Sequence, residues 1–405
     1  MQLRLKSGLG NDRAWIYLIS ALTAFAPLST DMYLAAFPSI ASDLQTDLAG
    51  VQSSLSIFVL GLALGQILYG PLSDRYGRKP PLIVGAAIFV ITSLGLMLAT
   101  SIQSFIFLRL IQAVGGCAGM VLCRAMIADR YSGREATDKL ATVMLVGAFA
   151  PIVGPVAGSA LVSTCGWRSI FLFLTLFGCC CLFAVYWLLP ETQPANQRKR
   201  SNVKQEIAAM GNLLKKKFVI LPLLSGAMAF SALFSFIAGS PAVFMSVFGM
   251  SRGTYGWVFA GITLGMVICS QCLRVLLKNA QQETVFLTCM ACNLCLTLIL
   301  LTWGDELGAW PFVLIATAAI SALPLASAST TAMTMESGGA SKGSLSALLG
   351  LTQFGCASIA SWLVGILYEE TSLSMTLVML VTACLSLMAF LPLLPNTRRI
   401  FWRES

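Results

Sequence analysis

"GPLSDRYGRKPPL", residues 70–82, sets Asp74, Arg75, Arg78 and Lys79 in one short turn between two long apolar stretches. Elsewhere the chain avoids charge: its 405 residues are 57% hydrophobic and 11% charged. Soluble domains are about 45–50% apolar and about 25% charged. So few charges would not cover a soluble protein of this length, and the implied solvent is lipid. Outward from the turn, apolar runs predict an all-α membrane protein. Twelve transmembrane helices are expected at 15–37, 51–70, 81–100, 103–128, 139–162, 168–189, 218–247, 254–277, 284–303, 309–333, 344–368 and 373–394. Each is long enough to cross a hydrocarbon layer of about 30 Å. The runs are continuously apolar, whereas barrel strands alternate. Residues 1–14 are polar, carry Arg4, Lys6 and Arg13, and run directly into the first span, so no cleavable signal peptide is expected.

Charge fixes the expected orientation. With the N-terminus inside, 23 of the 26 Lys and Arg fall on the inner side; Arg168 and Arg252 fall outside, and Arg109 lies within a span. That asymmetry predicts that both termini are cytoplasmic. It also accounts for the net charge of +9 with no nucleic-acid partner. The longest polar interruption, "PETQPANQRKRSNVKQEIAAMGNLLKKK" (190–217), holds two prolines and seven cations. It divides the chain into a six-helix N-terminal half (1–189), a cytoplasmic basic linker (190–217) suited to lipid headgroups, and a six-helix C-terminal half (218–405).

Thirteen cysteines, with "CSQC" at 269–272 and "CMACNLC" at 289–295, suggest metal or redox chemistry, but both stretches lie inside predicted spans and the chain has no histidine. Metal sites need deprotonated thiolates with a supporting shell. Small apolar cysteines at helix contacts are the expected reading, with no metal and no cofactor. Cys165 alone falls near the outer face, so no disulfide is expected there. No phosphate loop, nucleophile elbow or hydrolytic carboxylate pair is present, and the chain does not read as an enzyme. Without histidine, proton chemistry within the membrane falls to a carboxylate.

Of 17 acidic residues, only Asp31 lies within a span. With Arg109 in the fourth span, it is an intramembrane charge and a functional candidate. Both sit six residues from the outer ends of their predicted helices, about 9 Å deep, at one level where they could pair. Tyr33 and Gln112 add hydrogen-bonding groups nearby. A purely structural ion pair is the competing reading, because a buried pair is weak evidence for stability. In the turn, Gly77 permits a positive φ or close packing, and Pro80 and Pro81 suit the first turn of the next helix. Glycines at 61, 65 and 70 in the second span, and at 147, 154 and 158 around Pro155 in the fifth, suggest close packing and a bend.

These motifs resemble the major facilitator superfamily. "GPLSDRYGRKPPL" resembles its loop 2–3 signature, Gly-x-Leu-x-Asp-Arg-x-Gly-Arg-Lys. "LRLIQAVGG" (108–116) resembles its helix 4 motif, with Ala113 where glycine is usual. "APIVGPVAG" (150–158) resembles the helix 5 signature of drug antiporters, with Ala150 in place of a glycine. "STDMYLAAFPSIA" (29–41), "LGQILYGPLSDRYGRKP" (64–80) and "AGSPAVF" (238–244) resemble the Bcr/CflA branch, linked to export of bicyclomycin, chloramphenicol-type drugs and small metabolites. In the second half, "GSLSALLGLTQFG" (343–355) adds a weaker match that contains Gln353.

The resemblance implies proton-driven efflux of small amphipathic compounds by alternating access, from a multi-pass monomer in a bacterial inner membrane. Its ligands would be the substrate, protons and lipid. Asp31 and Arg109 would couple protons. Tyr33, Gln112, Phe234, Phe236 and Gln353 would contact substrate. Gly70, Asp74, Gly77, Arg78 and Asp129 would form a conformational latch on the inner face. Gly147, Gly154, Pro155 and Gly158 would bend helix 5. The alternative is a proton-coupled porter of a nucleoside, amino acid or sugar. A non-transporting receptor or scaffold would show neither flux nor ligand-linked proton uptake.

Overall fold

The structure, a computed structural model, describes residues 12–194, 196, 198, 203–337 and 342–394. The expected cations Arg4, Lys6, Arg398, Arg399 and Arg403 lie outside the described residues. Every regular element among the described residues is helical. The first half comprises α1 (Asp12–Thr23), α2 (Phe25–Asp31), a 3₁₀ turn (Leu34–Ala36), α3 (Phe37–Asp43), α4 (Leu48–Tyr76), α5 (Lys79–Met97), α6 (Ile102–Arg130), α7 (Gly133–Cys165) and α8 (Arg168–Leu188). After α9 (Val203–Leu214) come α10 (Lys217–Pro241), α11 (Arg252–Leu276), α12 (Gln282–Trp303), α13 (Ala309–Ser321), α14 (Leu323–Ser337), α15 (Lys342–Ile366) and α16 (Leu373–Phe390). Eleven helices are long and apolar enough to cross a membrane, and the bent α1–α3 segment makes a twelfth. The fold is two six-helix halves, as expected.

Local chemistry sets the ends. Asp47 caps α4 by accepting from the Gly50 N–H at 2.8 Å, and Ser101 and Ser251 cap α6 and α11 in the same way. Gly77 ends α4 at φ 93°, a conformation that strains any residue with a Cβ.

Three predicted spans are not single α-helices. The first is broken between α1 and α2 and bends by 42°. Pro27 explains the break: it has no N–H to offer the Thr23 carbonyl, and its ring crowds that oxygen. The tenth splits at Ala322, just ahead of Pro324, which has no N–H to offer the Ile320 carbonyl. The seventh runs past Pro241 into a π-helical turn, Ala242–Val247. Within the predicted linker, α9 sets Met210 and Leu213 into a small core with Val219, Leu223, Leu345, Leu348 and Leu349.

The halves meet along two seams, α4 against α15 and α7 against α11. In the first, Ser358 Oγ donates to the Ser56 carbonyl at 2.7 Å. In the second, Gly256 lies so close that a Cβ there would meet the Ser159 hydroxyl and, at 2.8 Å, the Pro155 carbonyl. We call the end carrying α9 and the Asp74–Arg78 turn the linker face. Met144, Leu145, Phe149, Leu264 and Ile268 are exposed apolar side chains on α7 and α11, as helices facing lipid require.

Candidate functional site

Between the halves lies a central cavity of about 240 Å³. α2 supplies Thr30 and Asp31, α7 supplies Pro151, α10 supplies Phe234 and Phe236, and α11 supplies Thr263. Among the described residues, Asp31 is the one ionisable side chain in this wall, and Thr30 and Thr263 are its other polar ones. Met120 and Phe354 line both this cavity and a larger vestibule of about 640 Å³ at the linker face. Phe230, Phe234 and Phe354 pack with centroids 4.9–6.3 Å apart at the boundary. The vestibule is mixed: Gln66, Asp74, Arg78, Arg124 and Gln353 reach it among apolar side chains such as Val121, Met210 and Leu349, and Gly70 opens onto it.

The break in the first span positions Asp31. It directs the carboxylate-bearing side chain towards the cavity and α7, where a Cβ on Gly154 would sit 3.2 Å from the Asp31 Cβ. A Cβ on Gly158 would collide with the Met32 carbonyl oxygen. These glycines therefore let α7 lie against the backbone of the break. Gly147 meets nothing, so its expected part in the bend has no packing counterpart. Gly158→Ala should cost about 1–3 kcal/mol through overpacking and lower the thermal unfolding midpoint in detergent. Gly147→Ala, with open space, should leave the midpoint at its wild-type value.

Asp31 and Arg109 do not pair, contrary to the expectation from their depth; no ion pair joins them. The guanidinium of Arg109 lies between the rings of Tyr33 and Phe58, 4.1 Å from each centroid, and donates to Gln112 Oε1 at 2.8 Å. Gln112 in turn donates to Ser93 Oγ at 2.8 Å. Two ring faces and an amide compensate this charge instead of a carboxylate. Equal depth was a valid inference, but direction around the helix was not available from it. Tyr33 and Gln112 are fully buried in this cluster and do not line the central cavity. Phe234 and Phe236 do line it, and Gln353 lines the vestibule.

At the linker face, Arg78 joins the groups singled out in the opening turn. It donates to Asp74 Oδ1 at 2.8 Å, to Asp129 Oδ2 at 2.9 Å and to Ser73 Oγ at 2.6 Å. Burial works against its charge, but Asp129 and Asp74 outweigh it and raise its pKa above the ordinary value. Glu191 was missed from sequence: its carboxylate accepts from the backbone N–H groups of Arg78 (2.8 Å) and Lys79 (3.1 Å) at the start of α5. A helix start attracts a carboxylate, yet the contact spans 113 residues and leaves no local signal. Its carboxylate also fills the space beside Gly77, where a Cβ would contact it. These bonds all lie within the first half and the start of the linker stretch. In this state the network braces one side of the vestibule and, among the described residues, does not cross to the second half.

Comparison with known proteins places this geometry in context. The family model described as "Major Facilitator Superfamily" matches residues 19–361. The chain is 31% identical to the Bacillus subtilis MFS-type transporter YdgK over 95% of its own length and 97% of that protein's. It is 27% identical to a Haemophilus influenzae bicyclomycin resistance protein homolog, over 93% and 95% of the two lengths. Among solved structures, a bacterial homolog of the human lysosomal transporter Spinster, inward-facing and unoccupied, superposes with a TM-score of 0.67 at 13% identity. That match covers 94% of this chain and 96% of the other.

Proposed function

The chain belongs to the major facilitator superfamily, and from that premise we propose that it exports small amphipathic compounds of the bicyclomycin and chloramphenicol type in exchange for protons, by alternating access. One observation carries this reading: an apolar, aromatic-walled cavity between two halves whose wall contains a single carboxylate, Asp31. Apolar walls suit amphipathic cargo, and an acid within the membrane suits a proton carrier. Relatives named for drug resistance support the same direction. A sugar, nucleoside or amino acid would need more hydrogen-bonding partners than two threonines and one acid supply.

In this reading the protein works as a monomer in a bacterial inner membrane, with the linker face and both termini cytoplasmic. Its first half is 1–189 and its second 218–405. Arg109 acts on the proton site through the backbone it holds, since Tyr33 follows Asp31 by two residues. The test is flux from proteoliposomes loaded with chloramphenicol or bicyclomycin. Export must rise with an imposed pH gradient and collapse with a protonophore. Gradient-independent leakage of both compounds would sink the proposal.

The Asp74–Arg78–Asp129 network, which here braces the first half alone, is proposed to act as a latch by meeting the second half in the opposite facing state. Asp74→Asn keeps an acceptor for Arg78 but loses the charge assistance, worth on the order of 1.4 kcal/mol, or about tenfold. The variant should insert and bind cargo, transport about tenfold more slowly, and shift the accessibility of a cysteine placed at Gln353. Wild-type flux with unchanged accessibility would reduce the turn to a topology signal.

A further inference from the structure

Arg124 lies near the linker-side end of α6, where the inner-side charge bias places cations. It stands six residues before the helix end at Arg130, about 9 Å into the bundle. Arg78 is engaged by two carboxylates and Arg109 by two rings and an amide. Arg124 lines the vestibule with no hydrogen bond or ion pair to any described residue. Gln353 reaches the same vestibule from α15, likewise without a hydrogen-bond partner among the described residues.

Their positions relative to the central cavity matter more than their polarity. Met120, one helical turn before Arg124, and Phe354, the neighbour of Gln353, are the two residues that line both spaces. The unengaged donors therefore stand one step beyond the apolar cavity, one on each half of the protein. A molecule with its apolar body among Phe234, Phe236 and Met120 would place a polar end beside them. Guanidinium and amide N–H groups offer donors, and Arg suits a carboxylate or other oxyanion.

We propose that Arg124 and Gln353 form a recognition subsite for the anionic oxygen group of an amphipathic compound whose apolar body occupies the central cavity. When Asp31 carries a proton, Arg124 is the charged side chain lining the two spaces that has no ion-pair partner among the described residues. The subsite thus adds a preference, beside the neutral cargo the cavity accepts, for amphipathic compounds with a carboxylate-like end, and by taking donors from both halves it rewards their approach. This rests on the export reading only in taking the two spaces as the cargo's route.

The test compares two probes with one apolar body, 2-naphthoate and 2-naphthalenemethanol. Binding is measured calorimetrically to the full chain in phosphatidylcholine nanodiscs, where no anionic lipid competes. Wild type should bind the naphthoate about tenfold more tightly, the gain expected of a charge-assisted hydrogen bond. Arg124→Gln should bring the ratio of the two affinities close to one. Arg124→Lys should keep part of the preference, and thermal unfolding midpoints should report intact folds. Adding phosphatidylglycerol should leave the wild-type naphthoate affinity unchanged; competition would assign the subsite to a lipid headgroup and overturn the proposal. No naphthoate binding, or a preference that survives in Arg124→Gln, would also overturn it. Selective binding without pH-driven export would strike the export reading alone.

Discussion

Asp31→Asn is expected to abolish pH-gradient-driven export while the protein inserts, folds and still binds neutral cargo. Asparagine matches the carboxyl in size, so the contacts with α7 at Gly154 survive. It removes the titrating group from a wall that has no other. No histidine exists anywhere in the chain to replace it. Flux down a cargo gradient with no pH difference should persist at a measurable rate, because an uncharged side chain no longer ties the halves' exchange to a proton. The decisive measurement is initial export rate against imposed pH difference. Wild type should rise steeply and the variant should stay flat. A slope retained in Asp31→Asn would remove this residue from the coupling step.

Arg109→Ala is expected to inactivate transport by a different route. The guanidinium interacts with two ring faces at about 1–2 kcal/mol each when desolvated, and its bond to Gln112 adds roughly 1.5–3 kcal/mol. Truncation loses these contacts, leaves Gln112 Oε1 without its donor and opens a void between Tyr33 and Phe58. Relief from burying a charge offsets part of the loss. The expected outcome is a lower unfolding midpoint together with lost flux. Arg109→Lys should rescue poorly, since a point charge cannot stack on both rings or reproduce the planar fork. Because Arg109 holds the backbone beside Asp31 without pairing with it, binding losses in the double variant Arg109→Ala/Asp31→Asn should depart from additivity by about 0.5–1 kcal/mol. Strong non-additivity would show that the two charges meet in another state.

The span pattern, the two halves and the polar turn were legible in the sequence because lipid imposes length and apolarity directly on each helix. Asp31, Phe234 and Phe236 were legible as cavity residues through position and resemblance. Their neighbours were less so. Depth along a helix can be counted, but azimuth depends on packing, which is why Tyr33 and Gln112 fell on a buried cluster and not on the cavity wall. The bend in the first span was concealed by uninterrupted hydrophobicity, although Pro27 marked it. Glu191 could not be found by any local reading, since its partners lie across the first half. Arg124 was counted as one more inner cation, because charge statistics record which end of a helix a residue is near and not whether a carboxylate waits beside it.

The placement of α9 has a consequence for how the chain may be divided. Glu191 is fastened to the start of α5, while Met210 and Leu213 are embedded among side chains of α10 and α15. The connecting stretch is thus held by side-chain contacts at both ends, α9 packing against α10, α15 and Ile67 of α4, and these contacts are proposed to hold α9 without covalent continuity to Glu191. Two polypeptides, one ending near Pro194 and one beginning near Val203, should reassemble when co-expressed and restore transport. A cut placed after Leu214 separates α9 from the core it completes and should complement poorly.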